Sequence, residues 1–177
     1  MPETRLLTTA EAPPALLAEI RDLLDRAFGD GFTDEDWEHA CGGQHVVVTE
    51  GGVVVAHAAV VPRELHVAGR PFRTGYVEGV GTEPGRQRAG LGSLASAQAG
   101  DLVRAGFELG ALSTGRPAFY EHLGWERWRG PTYVRRGNAT VRTPDEDDGV
   151  LVLRFGPSAA VDLTAPLSCE ARSGDDW

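Results

Sequence analysis

A glycine-rich turn between a strand and a helix constrains the fold of this chain more than any other feature. Residues 85–92 read GRQRAGLG, and the segment that follows, SLASAQAGDLV, is typical of a helix. The segment just before the turn, Tyr76–Thr82, is typical of a strand. A glycine loop in this position either cradles a phosphate group or is an ordinary strand-to-helix connection.

Two common phosphate-binding loops do not fit this turn. A Walker loop requires a lysine that the turn lacks, and a dinucleotide fingerprint requires a third glycine that is missing after Gly92. What remains is the pattern Gln/Arg-x-x-Gly-x-Gly over residues 87–92. The first N–H groups of a helix have no intrahelical partner and carry the positive end of the helix dipole. The pattern therefore predicts a pyrophosphate cradle, with the ordinary connection as the alternative.

Hydrophobic periodicity predicts the elements around this unit. Pro13–Phe28 carries a helical apolar stripe, and Thr33 with Asp36 has the pattern of a capping box on a short helix. His45–Thr49 and Val53–Val61 are β-branched segments that predict a hairpin. The other expected elements are strands over Arg63–Ala68, Phe72–Thr82, Phe107–Leu112, Trp125–Val134 and Val150–Phe155, and helices from the glycine loop to Ala105 and over Pro117–Leu123.

Two segments are expected to lack regular structure, namely a loop over Arg136–Gly149 and a mostly irregular tail over Ser158–Trp177. The order of the elements predicts an α+β fold with a mixed sheet, in a single domain over residues 1–177.

The net charge and the cysteine content limit the kinds of partner and the cellular location that we expect for this protein. With 17 Lys and Arg against 26 Asp and Glu, the formal charge of −9 argues against a nucleic-acid partner and suits a cationic small molecule, although it is also what solubility alone requires. No apolar run approaches the roughly 20 residues that span a bilayer, and no signal peptide is recognised. Cys41 and Cys169 fit no metal or redox spacing, and the histidines show no ligand spacing. We expect a cytoplasmic protein with no metal and no membrane partner.

The strand Tyr76–Thr82 and the glycine loop resemble the acetyl-coenzyme A site of the GCN5-related N-acetyltransferases (GNAT). The resemblance implies a GNAT fold, with a mixed, mostly antiparallel central sheet flanked by helices and a splayed strand pair that holds acetyl-CoA. It also implies two sets of coenzyme contacts. Pantetheine would meet Val80, Gly81 and Thr82, and the phosphates would meet Gln87, Arg88, Ala89, Gly90, Leu91, Gly92 and Ser93.

A more specific resemblance is to the aminoglycoside 2′-N-acetyltransferases. It runs from about Phe28 to the last residue in the same order and implies transfer of acetyl to the 2′-amine of an aminoglycoside, a cationic small molecule. A homodimer is expected by family analogy only. The similar segments are residues 29–39 (GDGFTDEDWEH), 55–60 (VAHAAV), 75–80 (GYVEGV), 109–113 (LGALS), 142–145 (RTPD) and 174–177 (GDDW).

The resemblance implies two catalytic residues and a set of substrate contacts. Glu78 would take the amine's proton through a water, and Tyr120 would stabilise the departing thiolate by hydrogen bonding. Without the resemblance, Glu78 reads as a cross-strand partner of an arginine such as Arg73, and Tyr120 as a core aromatic. The implied substrate contacts, whose acidic members otherwise read as solvated loops and caps, are Asp36, Ser113, Asp147, Asp175 and Trp177.

Three other functions compete with this interpretation. The enzyme could acetylate another amine on a polyamine or a protein, or the domain could retain coenzyme A as a non-catalytic sensor or scaffold. A hydrolase with Ser113 as nucleophile is disfavoured, because no histidine follows His122 to complete a triad.

Overall fold

Ten β-strands and four α-helices make up the computed structural model, which describes residues 1–177. The strands are β1 (Glu3–Thr8), β2 (Gln44–Glu50), β3 (Val53–Val67), β4 (Arg70–Thr82), β5 (Leu109–Ser113), β6 (Glu126–Arg127), β7 (Thr132–Arg136), β8 (Ala139–Arg142), β9 (Val150–Arg154) and β10 (Leu167–Glu170). The helices are α1 (Pro14–Phe28), α2 (Asp34–Ala40), α3 (Leu91–Gly106) and α4 (Pro117–Glu121). None of these helices is both long enough and apolar enough to cross a membrane.

The chain divides into two compact units, each made of two segments. The first comprises Met1–Val61 and Val77–Asp101, and the second comprises Pro62–Tyr76 and Leu102–Trp177. Strands β3 and β4 and helix α3 each run from one unit into the other. That all 177 residues form one domain stays a prediction.

In the first unit, helix α1 packs on an antiparallel sheet in which β2 pairs with both β1 and β3. The apolar stripe of the helix explains the packing, because Ile20, Leu23 and Leu24 are fully buried in one cluster with Val47 and Val54. A proline in the first turn suits the start of the helix, since its missing N–H has no partner there anyway. The predicted helix and hairpin are confirmed, although β1 was not predicted.

Helix α2 begins with the predicted capping box. The Thr33 hydroxyl accepts from the Asp36 N–H at 3.1 Å, and the Asp36 carboxylate accepts from the Thr33 N–H at 2.8 Å. Each side chain thus satisfies one donor that the helix end would otherwise leave unpaired.

In the second unit the strands are ordered β6-β9-β5-β4-β3-β10-β7-β8. The β4–β5 and β10–β7 pairs are parallel, and the other pairs with a defined register are antiparallel. The β4–β5 register runs over Thr74–Tyr76 and ends at the pair Tyr76–Ala111. The predicted α+β fold with a mixed, mostly antiparallel sheet is confirmed.

The expected single strand over Trp125–Val134 is wrong, because a turn at Gly130 and Pro131 divides it into β6 and β7. A Cβ at Gly130 would lie 2.1 Å from the Ala165 carbonyl oxygen, so the backbone of another segment occupies the space that a side chain would need. The two strands pair with different partners, β6 with β9 and β7 with β10.

Three further expectations are corrected. The Arg136–Gly149 loop contains β8, which pairs with β7, and the Ser158–Trp177 tail contains β10, which pairs with β3 and β7. Arg63–Ala68 is not a separate strand, because β3 continues through Pro62 to Val67. Proline costs a strand one N–H donor but has a φ compatible with extended backbone, and Pro62 is exposed.

Candidate active site

The glycine loop leads from β4 to the N-terminus of α3 in an open conformation. The Leu94 N–H donates to the Gly90 carbonyl, so the N–H groups of residues 91–93 have no partner within the helix. Gly90 has φ +79°, which disfavours any other residue, and no atom lies within 4 Å of the position a Cβ would take. A ligand can therefore approach the backbone at the positive end of the helix dipole.

Ion pairs hold the chain at Glu83 and Arg86, and one further arginine of the loop remains available to bind a ligand. Glu83, at the loop's start, accepts two N–H bonds from Arg26 at 2.7 and 3.1 Å, and Arg86 pairs with Glu50. Arg88 forms none of the ion pairs of the structure and is exposed, with an unusual positive φ of 69°. Its guanidinium is thus a cation of the loop that no ion pair occupies, and it lies shortly before Leu91, the first residue of α3.

Left-handed backbone at Gly79, which we call the Gly79 bulge, separates Glu78 from Val80 in β4. Gly79 has φ +55°, and a Cβ there would lie 3.1 Å from the Cβ of Ala40. Its carbonyl oxygen lies 2.7 Å from Nδ1 of the buried His57. Bulges re-aim the side chains beside them, and here the side chain before the glycine is the half-buried Glu78.

The nearby Gly81 lies in close contact with helix α1. A Cβ at this position would lie 2.7 Å from Cδ2 of Leu24 on helix α1. Helix α1 thus packs directly against the strand backbone where the pantetheine contacts Val80, Gly81 and Thr82 are predicted.

The buried His57 makes stability depend on pH. Burial, aided by the nearby His45, lowers the pKa of His57 from 6.5 to about 3. The unfolded chain therefore binds a proton below about pH 6.5 that the folded protein does not accept until near pH 3. We expect the free energy of unfolding to fall by about 2 kcal/mol between about pH 7 and pH 5 from this residue. Burial also lowers the pKa of His45, which acts in the same direction.

Chemical denaturation across this pH range measures the effect. His57→Asn removes the titrating group but keeps a side-chain donor, so the pH dependence of its unfolding should be weaker. Equal slopes in the two proteins would contradict the prediction.

In the second unit, Tyr120 lies buried on α4 between two aromatic rings. Phe119 contacts it edge to face at 4.9 Å between centroids, and Trp125 at 6.3 Å. Burial raises the pKa of the Tyr120 phenol to about 12. A phenol this weakly acidic can donate a hydrogen bond but gives up its proton with difficulty.

The same unit brings Ser113 to an acidic turn. The Ser113 hydroxyl donates to Oε2 of Glu146 at 3.0 Å, and the Thr114 N–H donates to the Gly149 carbonyl. Burial, together with the charges of Asp175 and Asp145, raises the pKa of Glu146. No ion pair of the structure includes Glu146, so this half-buried carboxylate lies in an acidic environment without a neutralising cation.

Asp147, the acid predicted from the sequence to contact the substrate, follows Glu146 in the chain but is bound to other side chains. It pairs with Arg142 and accepts from the Thr132 N–H at 3.1 Å and the Thr132 hydroxyl at 2.9 Å. Arg142 and Thr132 together lower the pKa of Asp147 to about 2. Sequence reasoning did not single out Glu146, because the run of acids at 145–148 does not show which carboxylate faces Ser113.

The remaining predicted substrate contacts have identifiable partners. Trp177 is buried, and its indole N–H donates to the Thr143 hydroxyl at 3.1 Å, while its carbonyl accepts from Arg172 at 3.2 Å. Asp175 is exposed and accepts from the Trp177 N–H at 3.2 Å. Asp36, in the first unit, serves the capping box. No group of three His, Cys, Asp or Glu side chains is arranged to hold a metal ion.

Comparison with known proteins decides the family. Residues 9–128 match the family model for the acetyltransferase (GNAT) domain. The chain belongs to the GNAT acetyltransferase family. The predicted resemblance to this family is thereby confirmed.

Relatives of this GNAT acetyltransferase agree in sequence and in fold. An aminoglycoside 2′-N-acetyltransferase from Mycolicibacterium fortuitum is 37% identical over 98% of the chain and 91% of its own length. The GNAT protein YhbS from Escherichia coli, solved in complex with CoA, has a TM-score of 0.68 over 95% of the chain and 89% of its own, at 17% identity. A GNAT protein from Kribbella flavida has a TM-score of 0.58 over 73% of the chain at 25% identity, but the chain spans only 34% of its length. The GNAT fold predicted from the sequence is confirmed.

Proposed function

We propose that this protein transfers acetyl from acetyl-CoA to the 2′-amine of aminoglycosides and can thereby confer resistance to these antibiotics. The observation that carries the proposal is the 37% identity, over nearly the whole chain, with an aminoglycoside 2′-N-acetyltransferase. The uncompensated acidity around Glu146 supports it, because aminoglycosides are polycations and a carboxylate without a cation can bind an ammonium group.

Acetyl-CoA would bind at β4 and the glycine loop. The unpaired N–H groups of Leu91, Gly92 and Ser93 would hold the pyrophosphate, with Gln87, Ala89 and Gly90 giving close backbone approach and Arg88 adding charge. The backbone of Val80, Gly81 and Thr82 would pair with the pantetheine arm.

Gly90→Val is expected to weaken coenzyme A binding by about tenfold. Valine is disfavoured at a φ of +79° and would place methyl groups in the open space before the helix N-terminus. Isothermal titration with coenzyme A measures the change. Gly85→Val is the matched control, since that glycine also has open space around it but lies outside the predicted phosphate contacts. Unaltered affinity in a folded Gly90→Val protein would remove support for the cradle.

The chemical step is direct attack of the amine nitrogen on the thioester carbon, with cleavage of the carbon–sulfur bond. Glu78 would accept the amine's proton through a water molecule, and the coenzyme thiolate would leave. Tyr120 would stabilise that thiolate by a hydrogen bond. With the phenol pKa raised to about 12 against about 8.5 for a thiol, proton transfer from Tyr120 is strongly uphill.

Substrate ammonium groups would be bound by acidic side chains. We assign the central contact to Glu146, held by Ser113, because its carboxylate has no cation partner. Asp36, Asp147, Asp175 and Trp177 keep the substrate roles predicted from the resemblance. The Asp147 carboxylate would have to share its Arg142 pair with the substrate.

The experiment that tests the function compares two aminoglycosides that differ only in an amine or a hydroxyl at the 2′ position. We expect release of free coenzyme A thiol with the first and none above background with the second. Equal turnover of both would place the acetyl group on another amine. No turnover with either, but turnover of polyamines or peptides, would favour the alternative substrates considered above. Coenzyme binding without any turnover would favour a non-catalytic module. A cytoplasmic location and a homodimer stay predictions.

A further inference from the structure

A buried chain of hydrogen bonds runs from the end of β1 to the bulge of β4, all within the first unit. His57 and His45 are both 0% exposed, and Nε2 of His57 lies 2.8 Å from Nδ1 of His45. Nε2 of His45 lies 2.7 Å from the Thr9 hydroxyl, which accepts from the Gly42 N–H at 3.0 Å. At the other end, Nδ1 of His57 lies 2.7 Å from the Gly79 carbonyl oxygen.

The carbonyl end of this chain sets the direction of every bond in it. A carbonyl oxygen can only accept, so Nδ1 of His57 must carry a proton, and Nε2 of the neutral ring must then accept. It follows that Nδ1 of His45 donates to His57 and that the Thr9 hydroxyl donates to Nε2 of His45. Two neutral rings linked in this way both carry their proton on Nδ1. Burial lowers the pKa of both imidazoles, which keeps them neutral.

The Gly79 bulge needs a contact that fixes its conformation. A glycine adopts left-handed backbone without strain but also reaches many other conformations, so its neighbours must fix the one seen here, and an unpaired buried carbonyl would cost free energy. The two atoms nearest the position that a Gly79 Cβ would take are apolar and belong to Ala40 and Leu24. His57 thus supplies the polar contact on the interior side, while Glu78 and Val80 lie directly before and after the glycine.

We propose that His45 and His57 are positioning residues for acetyl transfer, which hold the Gly79 bulge and thereby orient Glu78 and the backbone at Val80. This inference rests on the proposed function. Neither imidazole touches substrate, and neither relays a proton to the reaction, because the chain ends on a carbonyl that cannot take one.

The first test does not depend on turnover. Long-range ¹H–¹⁵N correlation spectra of ¹⁵N-histidine-labelled protein at neutral pH should show two neutral rings protonated on Nδ1, where free histidine prefers Nε2. Assignment by His45→Gln and His57→Asn identifies the two rings. An imidazolium, or a proton on Nε2 of His57, would overturn the proposal.

The second test measures the bulge itself and its effect on catalysis. His57→Leu removes the donor, whereas His57→Asn keeps a donor near the position of Nδ1. Val46→Ala is the matched control, because it removes buried volume beside His45 on the opposite face of β2. In His57→Leu, amide exchange over residues 78–82 should accelerate, and kcat should fall on the order of 10- to 100-fold with little change in the amine's KM. His57→Asn should recover most of both.

The outcomes separate this inference from the proposed function. Exchange over residues 78–82 that is unchanged in His57→Leu, or changed equally in Val46→Ala, would overturn the positioning role. If His57→Leu does not fold, the ring spectra still decide, since that readout does not need the leucine variant. Unaltered protein that fails to acetylate any amine would refute the function and leave the ring and exchange results interpretable.

Discussion

Replacing Glu78 by glutamine is expected to lower kcat by about 10²- to 10⁴-fold, the usual contribution of a positioned general base. Glutamine has almost the same shape but cannot accept the amine's proton at neutral pH. Coenzyme A affinity should be unchanged, since the predicted coenzyme contacts at Val80–Thr82 are made by the backbone. Steady-state kinetics with an aminoglycoside, together with coenzyme titration, separate the two effects.

The pH profile distinguishes loss of a base from loss of structure. In Glu78→Gln, the rate should rise with pH, because a larger fraction of the amine is already neutral and needs no base. Glu64→Gln is the control, an exposed strand glutamate of β3 that pairs with His66. Turnover that is the same in Glu78→Gln and in the unaltered protein would show that Glu78 is not the base.

The parts of the fold that the sequence predicts correctly depend on neighbours along the chain. The capping box joins residues three apart, and the β2–β3 hairpin is signalled by Gly51 and Gly52 between β-branched segments. The glycine loop is likewise a local signal, since a helix start and a positive φ at Gly90 both leave marks in the sequence. These interactions join residues that are close in the sequence, so a local pattern is enough to predict them.

The strands that were missed depend on distant partners instead. β10 has only four residues, too few for their alternation of apolar and polar side chains to predict a strand, and it becomes an interior strand because β3 and β7 lie on either side of it. β8 is exposed along its whole length, so no hydrophobic pattern marks it. The two residues Gly137-Asn138 between β7 and β8 are typical of a hairpin turn, so this hairpin does have a local signal in the sequence.

In the candidate site, too, some features could be predicted from the sequence and others depend on tertiary packing. The resemblance identified residues by motif, including Glu78 and the loop, but a motif does not report which hydrogen bonds a side chain makes. Only the structure shows that Asp147 is paired with Arg142 while Glu146 accepts from Ser113, or that two distant histidines meet beneath Gly79. Pairings of this kind are set by tertiary packing, which is why residue spacing could not predict them.

The different environments of Glu146 and Asp147 predict a second large effect of a substitution on catalysis. Glu146→Gln is expected to reduce kcat/KM for aminoglycosides by about 10- to 100-fold, mainly through KM, because a charged hydrogen bond to an ammonium group is lost. The effect should shrink at high salt, where partly exposed charges are screened. Thermal stability should change little, since Glu146 makes no ion pair and its raised pKa shows that its charge is held at a cost.

Asp147→Asn is the matched comparison, one residue further along the same turn, and its main effect should be on stability. It breaks the pair with Arg142 and weakens the bonds from Thr132, so the melting temperature should fall while KM changes less. Kinetics and thermal unfolding of the two variants, measured side by side, assign the roles. A large rise in KM for Asp147→Asn with none for Glu146→Gln would show that the substrate displaces Arg142 from Asp147, and that the carboxylate beside Ser113 only shapes the turn.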